Sequence, residues 1–203
     1  MGFAAFDLSK SSTGWTVWQP GWVLPRYGHE CLGSEYTSRG QVFAKLHQIM
    51  SDLHRTLCPF EFLFFEEPIS PAQLQGGTSI NTLRLASGLA AHAESFGYAM
   101  GCRRIMEINV SSWRPDFIGR VEDSDAKARA RRAKKAGNAR ASARDELKQL
   151  TMDRCFELGM KPRKNDEADA IGILTYGLLV SGVQPPWLQH EVLREPLSAS
   201  GVR

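Results

Sequence analysis

The chain has 203 residues, 42% of them hydrophobic and 23% charged, with a formal charge of +3. A chain of that length buries enough apolar surface to fold without disulfides or metal, and this composition excludes a wholly disordered, collagenous or membrane-embedded protein. Cys31, Cys58, Cys102 and Cys155 are scattered, with no C-x-x-C pair and no clustered histidines. That suggests neither a disulfide framework nor a zinc site and fits a reducing, cytoplasmic setting.

Residues 2–7 are apolar up to one acid and predict a strand that ends at Asp7, with no basic-then-apolar leader before it. A polar turn with Gly14 follows, and residues 15–18 predict the returning half of a hairpin. A third short strand is expected near residues 31–36. Val42, Leu46, Ile49, Leu53 and Leu57 recur at three- and four-residue steps, the spacing of an amphipathic helix stopped by Pro59. Residues 60–65 form a bulky apolar run closed by Glu66-Glu67-Pro68, a buried central strand. A loop at residues 75–78 leads to a second helix through Leu83, Leu89, Ala93 and Phe96, which Gly97 is expected to end. Residues 104–110 predict a fifth strand, and Ser111-Ser112 a cap for a short helix carrying Trp113 and Phe117 as packing residues.

Residues 127–148 hold nine Lys or Arg against Asp145 and Glu146, a net +7, which leaves 16 basic and 20 acidic residues, or −4, elsewhere. A polyanionic partner should therefore meet the protein there. Residues 121–143 lack large apolar side chains and predict an exposed insertion, either loop or solvated helix. A further helix carries Leu147, Leu150, Cys155 and Leu158 and stops at Gly159. The last helix starts at Asn165 and is apolar on nearly every side, hence buried. Its run to residue 183 is too short for a bilayer core of roughly 30 Å, so no membrane partner is expected. Residues 1–183 read as one domain, and residues 184–203 as a loosely held tail. This element order predicts an α/β fold, a five-stranded mixed sheet flanked by helices.

Acids stand in unusual places on this frame. Asp7 ends one apolar strand, Glu66 and Glu67 end another, and Asp166 and Asp169 open the apolar last helix. Ionised carboxylates beside buried elements are unfavourable unless paired or metal-bound. If the two strands are parallel neighbours, Asp7 and Glu66 share a sheet edge, and residues three apart share one helix face. Such a cluster suits Mg²⁺ or Mn²⁺ and two-metal phosphodiester hydrolysis. Taken singly, each acid also has a plain use: Asn165, Asp166 and Asp169 match helix capping, and Glu66-Glu67 an exposed turn. Strand alternation alone does not choose between Glu66 and Glu67, and Glu167 remains open as a helper.

Residues 3–9 with Thr13-Gly14-Trp15, then Phe64-Phe65-Glu66-Glu67-Pro68, then residues 165–170 resemble the three acidic motifs of RuvC-type Holliday-junction resolvases. The stretch from Trp113-Arg114 to Gly119, with Leu147-Lys148 and residues 155–159, is similar to the phage-type branch. The resemblance spans residues 3–182. It implies a ribonuclease H-like fold, a homodimer, and Mg²⁺-dependent nicking of branched DNA such as a four-way junction, with Mn²⁺ able to substitute, in a bacterial or phage-infected cell. Carried over by position, the catalytic and metal-binding residues are Asp7, Glu66, Asp166 and Asp169. Ile69 departs from the aromatic residue that the bacterial members carry three positions after the motif Glu, and residues 121–143 are longer and more basic than their loop.

Lys127, Arg129, Arg131, Arg132, Lys134, Lys135, Arg140 and Lys148 are the candidate DNA-binding residues. Sequence-independent phosphate contact is the expected role, against the plain reading of a solvated face. Lys148, and less directly Lys127, is a candidate neighbour of the scissile phosphate. Three other readings of the chain are a broader flap nuclease, a junction-binding module without activity, and an actin-like ATPase suggested by residues 7–14. The last lacks the second domain and second phosphate loop it needs.

Overall fold

Alternation along two adjacent strands builds the centre of the molecule. The computed structural model describes residues 1–68, 79–138 and 141–193, with side chains described to residue 189. β1 (Gly2–Asp7) pairs antiparallel with β2 (Thr13–Trp18) and parallel with β4 (Phe60–Glu66), while β3 (Arg26–Glu30) and β5 (Arg104–Ile108) lie outside them in the order β3-β2-β1-β4-β5. Phe3, Ala5 and Phe64 point to one face, Ala4, Phe6, Leu63 and Phe65 to the other, and all are buried. A sheet apolar on both faces needs helices on both.

On one face lie α1 (Arg39–Thr56) and α2 (Ile80–Ala99). The opposite face carries α3 (Val110–Ile118), α5 (Arg144–Glu157) and α6 (Asn165–Val180), with α4 (Arg120–Lys135) packed on α3 and α5. Glycines let α6 approach both the sheet and α3 closely. A Cβ at Gly177 would overlap the ring of Phe64, and one at Gly172 that of Trp113. The five-stranded mixed sheet matches the expected architecture. Among the described residues no helix is long and apolar enough to cross a membrane.

Several local expectations are corrected. The third strand is residues 26–30, not 31–36; it is an edge strand with exposed ends and a half-exposed middle, so its apolar signal is faint. Gly97 does not end α2. It lies inside the helix, where a side chain would strike Leu63 and Ile105, and the helix stops before Gly101, whose φ is +73°. Asn109, not a serine, caps α3 by accepting from the Ser111 N–H. The basic segment is helical from Arg120 to Lys135, with Glu122 and Asp123 in its first turn and Arg132, Lys134 and Lys135 in its last, an order that complements the helix dipole. It is not wholly solvated, since Asp123 and Ala126 are buried.

The loosely held tail does not begin at residue 184. Pro186–Leu193 forms a 3-10 turn, and Trp187 is buried with its indole N–H 3.1 Å from the Thr175 hydroxyl and its ring edge-on to Trp18. Ile69, the loop at 75–78, Arg140 and the end of the tail from residue 194 lie outside the described residues.

Candidate active site

Parallel pairing places Phe6 opposite Phe65, so Asp7 and Glu66 follow as neighbours at one end of the sheet. Asp7 shares the parity of Phe3 and Ala5, and Glu66 that of Phe64. Both carboxylates therefore rise on the face covered by α6. Glu67 has the opposite parity, is exposed, and accepts from the Asn109 side-chain amide at 2.7 Å. The register separates two acids that their order alone left equivalent.

α6 delivers the other pair. Its N-terminus lies against β2 at Gly14, where a Cβ would overlap the carbonyl of Asp166. Gly14 is the register partner of Asp7, so this close approach sets the first turn of α6 beside the strand-end acids. Asp169 is buried and Asp166 half-buried. Capping does not account for them: the N-cap residue is Lys164, with no side-chain capping bond. Glu167 faces β3, its Oε1 2.6 Å from His29 Nδ1 and its Oε2 accepting from the Arg163 N–H. It fastens α6 to the edge strand and is engaged away from the cluster.

The charges bear most heavily on Asp7. Burial, then the charges of Asp169, Glu66 and Asp166, push the Asp7 carboxyl well above the usual carboxylate range, with Arg114 opposing. Burial and Asp169 raise Glu66, against the pull of Arg114, a hydrogen bond from Trp113, and Lys148. Burial raises Asp169, opposed by Arg114 and Lys148. The four predicted acids thus share one electrostatic site. Asp7, Glu66, Glu67, Pro68, Ala86 and Ala90 line a cleft of about 150 Å³ beside it.

The donor set is oxygen only, and Asp169 Oδ1 is buried with no hydrogen-bond partner. A surplus of negative charge and an orphaned acceptor suit a hard divalent cation. Among the described residues, however, no three His, Cys, Asp or Glu side chains already stand as a metal cage. Two oxygens are engaged by α3: the Trp113 indole N–H donates to Glu66 Oε2 at 3.1 Å, and Arg114 Nη2 lies 3.3 Å from Asp169 Oδ2. Arg114 escaped the reading of single residues, where its only mark is a cation between Trp113 and Pro115. Trp113, expected merely to pack, also holds a site acid.

The basic candidates divide. Lys148 on α5 is half-buried and close enough for its charge to act on Glu66 and Asp169. Lys127 is held by Asp123 at 2.6 Å, and Arg129 by Glu146 through two nitrogens. Arg131, Arg132, Lys134 and Lys135 are exposed along the second half of α4.

No protein-family model and no curated protein sequence matches the chain. Among solved structures, the fold is similar to T. thermophilus RuvC in complex with a Holliday junction substrate, with a TM-score of 0.55 and 14% identity over 92% of this chain and 99% of that one. The sheet order, the helices on both faces and this likeness make the fold ribonuclease H-like.

Proposed function

We propose that the protein is a divalent-cation-dependent, structure-selective DNA endonuclease that nicks four-way junctions or related branched DNA, as a homodimer of the phage-type RuvC kind. The observation that carries the proposal is the convergence of Asp7, Glu66, Asp166 and Asp169 at one sheet end, where the charges of the other three all bear on Asp7. The shared fold with a junction-bound RuvC supports the choice of substrate class.

In this reading Asp7, Glu66, Asp166 and Asp169 hold Mg²⁺, or Mn²⁺ in its place. When bound, the metal supplies the Lewis acidity that phosphodiester hydrolysis needs. Lys148 is near enough to the acids to neutralise the entering phosphate. The exposed cations of α4 hold the DNA backbone without reading bases, and Arg140 belongs with them. Glu167 and His29 keep the first turn of α6 in place and touch no reacting atom.

The test uses a synthetic four-way junction, a flap and a linear duplex, each with Mg²⁺, Mn²⁺ or EDTA, and Asp7→Asn alongside. Paired symmetric nicks in the junction alone, lost in EDTA and in the variant, are expected. Cleavage of every branched form would replace the junction resolvase with a broader debranching nuclease. Metal-independent binding without cleavage would leave a junction-binding module.

A further inference from the structure

We propose that Arg114 is the built-in counter-ion of the carboxylate cluster and sets its divalent-cation affinity by competing for Asp169. This inference rests on the cluster being a metal site and concerns what occupies it before metal arrives.

Arg114 touches both its neighbour and its acid. The guanidinium carbon lies 4.7 Å from the centre of the Trp113 ring, a stacking contact that fixes the planar group over an aromatic face. Its side chain is 17% exposed and that of Asp169 8%, so little water lies between them. The pairing is nonetheless incomplete. An arginine can grip a carboxylate through two parallel N–H···O bonds. Here one long contact joins Nη2 to Oδ2, while Arg114 Nε and Asp169 Oδ1 are both buried with no partner.

A contact with the Trp113 ring and a half-made pair describe a cation kept near Asp169 but easily exchanged. Its charge also opposes the mutual repulsion of Asp7, Glu66 and Asp169. Without it, the buried Asp169 and the half-buried Asp7 and Glu66 would face one another with Lys148 as the remaining nearby cation whenever metal is absent. The same charge must be overcome when a divalent cation enters, because Asp169 Oδ2 cannot fully serve both. Arg114 is thus a positioning residue: it preserves the empty site and weakens the filled one.

The test is Mn²⁺ binding to the full chain without DNA, by calorimetry or the loss of free-Mn²⁺ electron-spin signal, together with melting in EDTA. Arg114→Gln is expected to bind Mn²⁺ about tenfold tighter, the weight of one charge-assisted hydrogen bond. It should melt lower than wild type in EDTA and gain more on adding metal. Arg114→Lys keeps the charge but loses the planar fork; it should fall between the two and serves if the Gln variant does not fold. Equal or weaker Mn²⁺ binding by both variants would overturn the role of Arg114 and leave the nuclease reading standing. Unchanged Mn²⁺ binding with weaker DNA binding in EDTA would instead make Arg114 a phosphate contact. Absence of Mn²⁺ binding by wild type and variants alike would overturn the metal site and this inference with it.

Discussion

Gly14 and Asp166 meet backbone to backbone: a single added carbon on the strand residue would overlap the carbonyl of the helix residue. The hairpin strand and the last helix are joined at a point that admits no side chain, next to Asp7. Gly14→Ala should therefore push the start of α6 away from the sheet, lowering stability by ~1–3 kcal/mol and nicking with it. Gly40→Ala is the matched control, because nothing lies within 4 Å of its added carbon and it sits in α1. Replacing that glycine should raise stability by up to ~1 kcal/mol. Urea unfolding of both variants checks the pair.

Asp7→Asn should abolish nicking and at the same time stabilise the metal-free protein. The lost group is a carboxylate that burial and three neighbouring acids make unfavourable as an anion. In EDTA at neutral pH the variant should melt about 2–4 °C higher, the equivalent of ~1 kcal/mol for a chain of this size. An unchanged or lower melting temperature would mean that the acids are compensated more fully than the geometry indicates.

The cations of α4 should separate into two groups by salt titration. Arg131, Arg132, Lys134 and Lys135 changed together to Gln should weaken DNA binding at moderate salt. The slope of log K against log salt should flatten by as much as ~0.9 for each phosphate that is no longer neutralised. Lys127→Gln with Arg129→Gln should change the slope less, because Asp123 and Glu146 already occupy those two side chains. Equal effects from the two sets would mean that both ion pairs open on the DNA.

The stability that the neutral His54 and His92 contribute should fall as pH drops below the ordinary histidine range, against an opposite drift from Asp7, Glu66 and Asp169, whose raised carboxyls take up protons first in the fold. Burial lowers His54, and burial together with His47 lowers His92, whose Nε2 is buried without a partner. A base depressed in the fold is protonated first in the unfolded chain, so acid favours unfolding. The loss begins as pH passes down through about 6.5 and ends once the folded histidines also protonate. His92 stacks on Phe43 and meets His47 edge-on between α1 and α2, so His92→Phe should shrink the fall. Urea midpoints measured from pH 7.5 to 5 give the comparison.

The acids were legible because a carboxylate at the end of an apolar strand, or at the head of an apolar helix, is physically conspicuous. Asp7, Glu66, Asp166 and Asp169 all stand out in that way. Resemblance alone prefers Glu66 to Glu67; a physical reason for it needs the parallel register, which depends on contacts between residues far apart in the chain. β3 was displaced because an edge strand half-open to water carries little pattern. Gly97 misled because its smallness serves packing on Leu63 and Ile105, and a glycine chosen for close approach looks the same in sequence as one that ends a helix. Trp187 was hidden by its setting: one buried anchor within a polar stretch leaves no periodicity to detect.

α4 rests on α3 and α5, while the four acids are borne by strands and a helix embedded in the sheet core. On the proposed reading, delivery of DNA and rupture of its backbone would therefore be separable modules. A helix of different charge pattern grafted between Gly119 and Gly137 would redirect which nucleic acids are captured while the bond-breaking centre stayed as it is. Substrate preference in this architecture can drift quickly over a chemistry that is held still.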